Sequence, residues 1–265
     1  MTRSISLALT AALSLVLLAG CGGPRPALTL TAHSLARSAG NCTGDWHDCT
    51  WITLTWPETH GGPVADSVNA WIGSRIRAGG TDSGAVVHTA PESVAVRFLD
   101  SWREFHARWP DSPQQWTLER RATVILDSLG VVSVRFEENS YTGGAHGMHT
   151  VQYASFAVPG GRRLKLADLV VAPRDTGLAA LGEREFRAAR RIGNEHTLAD
   201  EGFFGEGGGR FRLSDDLAVT RDGLTFQWDE YEIAPYAWGP TTLTLPWTDL
   251  RPYLRRDGPL ALWAR

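Results

Sequence analysis

The spacing of apolar residues alternates along the chain between a period of two and a period of about 3.6, and this order limits the possible folds. Segments 28–37 and 50–56 alternate apolar and polar residues as strands do, and we expect them to pair as a long hairpin with the cysteine loop at its tip. Two helical segments follow, then strand-like segments between 116 and 158, a third helical segment at 176–192, and further strands. The further strands include a hairpin at 217–228 with an Asp-Gly turn. Because the strands are grouped rather than separated one by one by helices, we predict an α+β fold with antiparallel sheets and about three helices.

The N-terminal segment predicts a lipid anchor. Arg3 precedes an apolar stretch, 5–18, that is too short to span a bilayer comfortably and is typical of a secretory signal. The stretch ends in Leu-Ala-Gly-Cys, the bacterial lipobox, in which the thiol of Cys21 receives a diacylglyceryl group. Each buried methylene contributes about 0.8 kcal/mol, so two or three acyl chains anchor a protein stably. Ordinary cleavage beside an incidental cysteine is the alternative.

This anchor sets the expected location of the protein. We predict a signal peptide at 1–20, a lipidated tether at 21–27, and a mature protein attached to a membrane surface of the bacterial cell envelope, outside the cytoplasm. Gly22 rather than aspartate follows the cysteine, which favours the outer membrane where two membranes are present, with the protein facing the periplasm or the exterior.

Two further cysteines, Cys42 and Cys49, remain in an oxidising compartment. A disulfide that closes so short a loop stabilises the fold by roughly 2.5 kcal/mol on the loop-entropy relation. A zinc-binding pair is the alternative, because Asp45, His47 and Asp48 lie between the two cysteines. The compartment favours the disulfide.

The stretch "SYTGGAHGMH" at 140–149 is the principal candidate for a site. His146 and His149 have a spacing that zinc ligands can adopt, but a catalytic zinc needs a third protein ligand, for which the distant Asp168 is one candidate. The other interpretation is a tight turn between two strands. Gly143 and Gly144 would then supply positive φ, and the side chains of Tyr141 and His146 would hydrogen-bond the loop backbone.

Other catalytic patterns are weak in this sequence. There is no G-x-S-x-G elbow for a serine nucleophile. The adjacent carboxylates at 137–138, 215–216 and 229–230 would point to opposite faces of a strand, so none forms an acid–base pair by itself. A net charge of −3 provides no basic field for nucleic acid. We therefore predict no cofactor, no resident metal, no nucleic-acid partner and a binding rather than a catalytic domain.

Two segments carry a resemblance to a known family. Residues 140–170 and 211–254 resemble the extracellular domain of RsiV-type anti-sigma factors and the non-catalytic region of PdaC-type peptidoglycan deacetylases. The most specific pieces are Tyr-x-Gly-Gly-Ala-His, from Tyr141, and Tyr-Glu-Ile-Ala-Pro-Tyr-x-x-Gly, from Tyr231 to Gly239. Residues 52–76 resemble the companion domain that precedes this region in the family.

The resemblance implies an α+β ectodomain of two interlocked parts, an N-terminal subdomain at 28–112 and a C-terminal domain at 113–265. It implies a binding site that includes Tyr231 and Tyr236 together with the predicted loop residues. RsiV relatives bind lysozyme with this domain. The chain departs from both relatives: a lipoprotein signal stands where an anti-sigma factor has its transmembrane helix, and the Thr-Phe-Asp-Asp-Gly signature of the deacetylases is missing from the sequence.

We therefore expect a free-standing envelope lipoprotein whose partners are the membrane, through its lipid anchor, and lysozyme or cell-wall glycan. A metal-dependent envelope hydrolase that uses His146 and His149, and a purely structural envelope protein, are the alternatives.

Overall fold

The computed structural model describes residues 28–42, 49–79, 87–88, 90–172, 176–205, 208–261 and 263. The strands within these ranges are β1 (Thr29–Gly40), β2 (Cys49–His60), β3 (Ala78–Gly79), β4 (Val87–His88), β5 (Thr117–Ser128), β6 (Val131–Tyr141), β7 (Met148–Ala157), β8 (Leu217–Val219), β9 (Gly223–Trp228) and β10 (Thr241–Pro246). The α-helices there are α1 (Pro63–Ile76), α2 (Pro91–Arg108), α3 (Leu166–Leu169), α4 (Thr176–Arg190) and α5 (Trp247–Leu250).

These elements confirm the predicted α+β class. A five-stranded sheet has the order β1-β2-β5-β6-β7, a three-stranded sheet has the order β10-β9-β8, and β3 pairs with β4. Three of the described helices, α1, α2 and α4, are longer than ten residues, as the apolar spacing predicted. The other two are single turns.

The first two strands form the predicted hairpin. Their antiparallel pairing is continuous from Thr29 opposite His60 to Gly40 opposite Cys49. A disulfide joins Cys42 to Cys49, whose Cα atoms are 4.7 Å apart, and this confirms the predicted pair. The zinc alternative also involved residues 45, 47 and 48, which lie outside the described residues.

One pairing differs from the predicted antiparallel arrangement, because β2 and β5 run parallel. The chain between them contains α1 and α2, and both helices contact β2. A connection of this length carries the chain back along one face of the sheet, so that the next strand enters in the same direction. The helical segments seen in the sequence therefore serve as a crossover.

Two hydrophobic cores form on opposite faces of the larger sheet. Val132 belongs to the core beneath α1 and α2, whereas its neighbour Val131 belongs to the core that also contains α4 and the smaller sheet. Successive side chains on a strand point to opposite faces, so β6 takes part in both cores. Strands from both sides of position 112 share one sheet, and the predicted division at 112/113 therefore cuts through it.

The smaller sheet is centred on β9, all six residues of which are buried. The predicted Asp-Gly turn links it to β8, and a Cβ at Gly223 would clash with the Leu245 carbonyl of β10. Aromatic rings fill the core between this sheet and α4, with Phe186 in contact with both Phe204 and Trp228. This packing fixes the chain on either side of β9.

The predicted lipid anchor cannot be compared with the structure. The signal peptide, Cys21 and the tether lie outside the described residues. Within the described part of the chain, no helix is long and apolar enough to cross a membrane.

Candidate functional site

The loop between β6 and β7 forms the tight turn that its glycines predicted. Gly143 and Gly144 have φ angles of 97° and 98°, which favour glycine over residues with a Cβ. A Cβ at Gly143 would also lie 2.5 Å from the side-chain oxygen of Gln114. The Tyr141 hydroxyl donates a hydrogen bond of 3.1 Å to the Gly144 carbonyl. The loop is therefore held by its own polar groups.

His146, at the tip of this loop, is held through both ring nitrogens. Nδ1 lies 3.0 Å from the Gly147 carbonyl oxygen, and Nε2 lies 3.1 Å from the hydroxyl of Tyr231. A carbonyl only accepts hydrogen bonds, so Nδ1 carries the proton. In the neutral ring, Nε2 then accepts from Tyr231.

The tyrosines that interact with His146 come from the segment after β9. The ring of Tyr236 stacks on His146, with centroids 3.6 Å apart and planes 19° apart. Its hydroxyl donates to the Gly147 carbonyl at 3.0 Å. Tyr231 lies 5.7 Å from Tyr236 between ring centroids, and 58% of its surface is exposed. We refer to His146, Tyr231 and Tyr236 as the tyrosine–histidine cluster.

Tyr231 has a φ of 67°, which L-residues other than glycine seldom adopt. Such a conformation persists only where the surrounding structure imposes it, and it is frequent at ligand sites. Here it presents the ring to solvent while the hydroxyl contacts His146. The cluster is therefore a preorganised aromatic surface on two loops.

His149, the second histidine of the motif, belongs to a different network. Its Nε2 lies 3.0 Å from Glu137, which also pairs with Arg135. Hydrogen bonds from Arg135 and, secondarily, from His149 lower the pKa of Glu137 to about 2, although burial opposes them. The structure thus separates the two histidines that the H-x-x-H spacing had linked.

The proposed metal ligands have other partners. The carboxylate of Asp168, the suggested third ligand, accepts from the Lys165 amide at 2.8 Å and pairs with Arg162 at 2.7 Å. Within the described ranges, no group of three or more histidine, cysteine, aspartate or glutamate side chains is arranged to hold a metal ion.

Acidic side chains line the free edge of β7. Asp216 accepts the Tyr153 amide at 2.7 Å, and Asp229 accepts the Val151 amide at 3.0 Å. Glu230 lies 3.4 Å from the next alternate amide, that of His149. Backbone amides at the edge of a sheet need hydrogen-bond acceptors, and these three side chains supply them where no further strand pairs with β7.

Burial at this edge changes the acidity of the carboxyls. It raises the pKa of Asp216 to about 7 and also raises the pKa of Asp229. In the sequence these residues stand out only as pairs of adjacent acids. Their contacts are with β7 amides that lie about 60 to 80 positions earlier in the chain.

A cavity of about 350 Å³ lies beside the tyrosine–histidine cluster, and sequence reasoning missed it. Its lining includes Phe204, Arg212, Tyr231 and Glu232. Tyr231 is therefore shared between the cluster and the cavity.

Comparison with known proteins bears on the part of the chain that supplies the two tyrosines. Residues 167–248 match the family model DUF3298, described as a protein of unknown function. This range contains Tyr231 and Tyr236, but it begins after His146. No curated protein matches the chain.

Two solved structures share the fold over most of the chain. A DUF3298 family member from Bacteroides fragilis is 19% identical, with a TM-score of 0.66 over 91% of this chain and 99% of its own. A DUF3298 family protein from Pseudomonas aeruginosa is 17% identical, with a TM-score of 0.58 over 88% and 95%. At this level of identity the similarity shows the fold alone: the α+β architecture resembles that of these two DUF3298 family structures.

Proposed function

We propose that this chain is a lipid-anchored binding protein of the bacterial cell envelope, whose ligand is lysozyme or the cell-wall glycan on which lysozyme acts. The lipobox at Cys21 supports the anchor, and its preference for an outer membrane follows from Gly22. We further propose kinship with the RsiV and PdaC ectodomains, on the two motifs that the tyrosine–histidine cluster unites. The match to DUF3298 is compatible with this kinship.

The observation that carries the proposal is the exposed, fixed aromatic surface. Tyr231 is 58% exposed and nearby Trp238 is 44% exposed. Hydrogen bonds and stacking hold the cluster, so little side-chain entropy is lost when a ligand packs against it. Tyrosine and tryptophan rings with polar ends are typical of interface hot spots.

The residues next to Tyr231 in the chain are acidic. Glu230 and Glu232 flank Tyr231 in the chain, and the whole protein has a net charge of −3. A basic protein such as lysozyme complements this charge. A neutral glycan would instead use the faces of the aromatic rings.

The contacts of the histidines favour binding over hydrolysis. Both ring nitrogens of His146 are engaged within the protein, and His149 is paired with Glu137. A general base must reach the proton that it abstracts, and these contacts would have to break first. We therefore assign His146 a positioning role for the two tyrosines.

Calorimetry at moderate salt tests the proposal with the soluble fragment 22–265, which contains every described residue. Lysozyme and soluble peptidoglycan fragments are titrated separately, because a basic protein binds weakly to any acidic one at low salt. We expect saturable binding of one of them, weakened at least about tenfold by Tyr231→Ala. Trp109→Ala, at an exposed aromatic outside the cluster, is the control. Flat titrations with both ligands would overturn the proposal and favour a structural role.

A further inference from the structure

The cavity beside Tyr231 lies between two segments that approach each other from different parts of the chain. Gly202, Phe204 and Gly205 line one side, and Tyr231 and Glu232 line the other. The Phe204 amide donates to the Ile233 carbonyl at 2.6 Å and joins the segments. A volume of about 350 Å³ falls in the range of small-ligand sites, roughly 300–1,000 Å³.

Two residues of this lining have an unfavourable backbone conformation. Phe204 has a φ of 56° and Tyr231 a φ of 67°, two of four such non-glycine residues among those described. Phe204 is buried and packs against Phe186 and Phe211, so its conformation is imposed by the core. Tyr231 is exposed, and its ring contacts only His146 and Tyr236 of the cluster among the described aromatic residues. Strain retained at an exposed tyrosine points to a role in binding.

The polar groups at the cavity can receive a charged ligand. The guanidinium of Arg212 lies 5.5 Å from the centroid of the Phe204 ring. Among the described residues, Arg212 makes no hydrogen bond or ion pair, and its charge favours the ionised form of Glu232. Glu232 accepts the Asp229 amide at 3.0 Å through one oxygen, which leaves the other available to a donor on a ligand.

We propose that this cavity binds a sugar ring that carries a carboxylate, with the carboxylate on Arg212 and the ring against Tyr231. Arginine matches a carboxylate with two parallel N–H···O bonds. The tyrosine ring offers a flat apolar surface to one face of the sugar. Glu232 accepts from a hydroxyl or an amide on the opposite side. This inference rests on the proposed envelope-binding function and names the part of the ligand that the cavity takes.

The test uses fragment 22–265 and small probes, followed by calorimetry and by NMR line broadening of the probe. N-acetylmuramic acid and glucuronic acid carry the carboxylate on a sugar ring, and N-acetylglucosamine lacks it. D-alanyl-D-alanine offers a carboxylate on a peptide. We expect the two acidic sugars to bind at least about tenfold more tightly than the neutral sugar and the dipeptide.

Two variants test whether the acidic sugars bind in the cavity. Arg212→Gln should weaken binding of the acidic sugars about tenfold or more and leave the neutral sugar unchanged. Arg221→Gln, at an exposed arginine in the β8–β9 turn, is the matched control and should have no effect. Circular dichroism checks that both variants fold.

The possible outcomes separate this inference from the proposed function. Equal affinity for acidic and neutral sugars, or preference for the dipeptide, overturns the inference. So does an Arg212→Gln variant that binds as tightly as the wild type. If no small probe binds while lysozyme or peptidoglycan fragments do, the inference fails and the envelope-binding function stands. Failure of both small and large ligands removes both.

Discussion

Two neighbouring groups of side chains near the β7 strand show how differently adjacent polar residues can be used. The tyrosine–histidine cluster consists of two phenol rings and one imidazole ring on loops, and its Tyr231 and His146 are exposed. The carboxyl groups of Asp216 and Asp229 are partly buried and accept edge amides of β7. Perturbed acidity is often taken to mark a functional site. Here Asp216, whose pKa burial raises to about 7, accepts a β7 amide and is not part of the cluster.

The largest expected effect follows from removing a carboxylate at the β7 edge. Asp216→Ala leaves the amide of Tyr153 without its acceptor in a largely buried position. An unsatisfied buried donor costs about 1–3 kcal/mol, and we expect a loss of about 2–3 kcal/mol in the free energy of unfolding. Urea denaturation at pH 4 measures it, because the Asp216 carboxyl is then protonated in the fold and no ionisation penalty is removed with it. A loss below about 0.5 kcal/mol would show that the edge contact is dispensable.

The pH dependence of Asp216 gives the next effect. Its pKa is raised to about 7 by burial, so the folded state binds the proton more tightly than the unfolded state. The contribution to stability is complete below the ordinary pKa of aspartate and is lost as pH rises through about 7.

Asp216→Asn should therefore match the wild type in stability near pH 3, below the ordinary pKa of aspartate, and exceed it at pH 8. The raised pKa of Asp216 corresponds to about 4 kcal/mol in the free energy of unfolding. Because solvent reaches part of the group, we expect a stability difference of about 2 kcal/mol between the two proteins at pH 8. Thermal melts of both proteins across this pH range measure how their stabilities separate as pH rises. A wild type that is more stable at pH 8 than the variant would contradict the sign.

Glu137, on the neighbouring strand β6, should give a pH dependence of stability with the opposite sign. Its pKa is lowered to about 2, chiefly by the hydrogen bond from Arg135, so its stabilising contribution is present above the ordinary pKa and disappears as pH falls from about 4.5 towards 2. Glu137→Gln should cost about 1–2 kcal/mol at pH 7 and little near pH 2. Denaturant titrations at both pH values measure this difference, and a pH-independent cost would exclude an ionic origin.

The smallest effect on stability is expected in the exposed cluster. Tyr231→Gly relieves the left-handed conformation, whereas Tyr231→Ala retains it, so the glycine variant should be about 1 kcal/mol more stable than the alanine variant. Both variants should lose ligand binding. Equal stability of the two would indicate that the backbone at 231 relaxes without cost.

The sequence predicted those features that depend on local spacing. The β1–β2 hairpin with its disulfide, the three long helices and the β8–β9 hairpin all follow from apolar periods and turn residues over short distances. The parallel pairing of β2 with β5 was missed, because the direction of a strand depends on where the crossover returns the chain.

The candidate site was predicted in part. The loop glycines and Tyr141 followed from turn chemistry, and the resemblance linked Tyr231 and Tyr236 to that loop. The separation of His146 from His149 could not be read from their spacing, since the first lies at the loop tip and the second lies on β7. The cavity depends on residues near 204, 212 and 232, which only tertiary packing brings together.

Calorimetric titration of lysozyme and of soluble peptidoglycan fragments into three forms of the soluble protein tests the central claim most directly. The forms are the wild type, Tyr231→Ala and Asp216→Asn. We predict that Tyr231→Ala loses at least about tenfold in affinity for the ligand that binds, while Asp216→Asn keeps the affinity of the wild type. Normal binding by Tyr231→Ala with loss in Asp216→Asn would contradict the account, because the buried carboxylates would then be the functional groups.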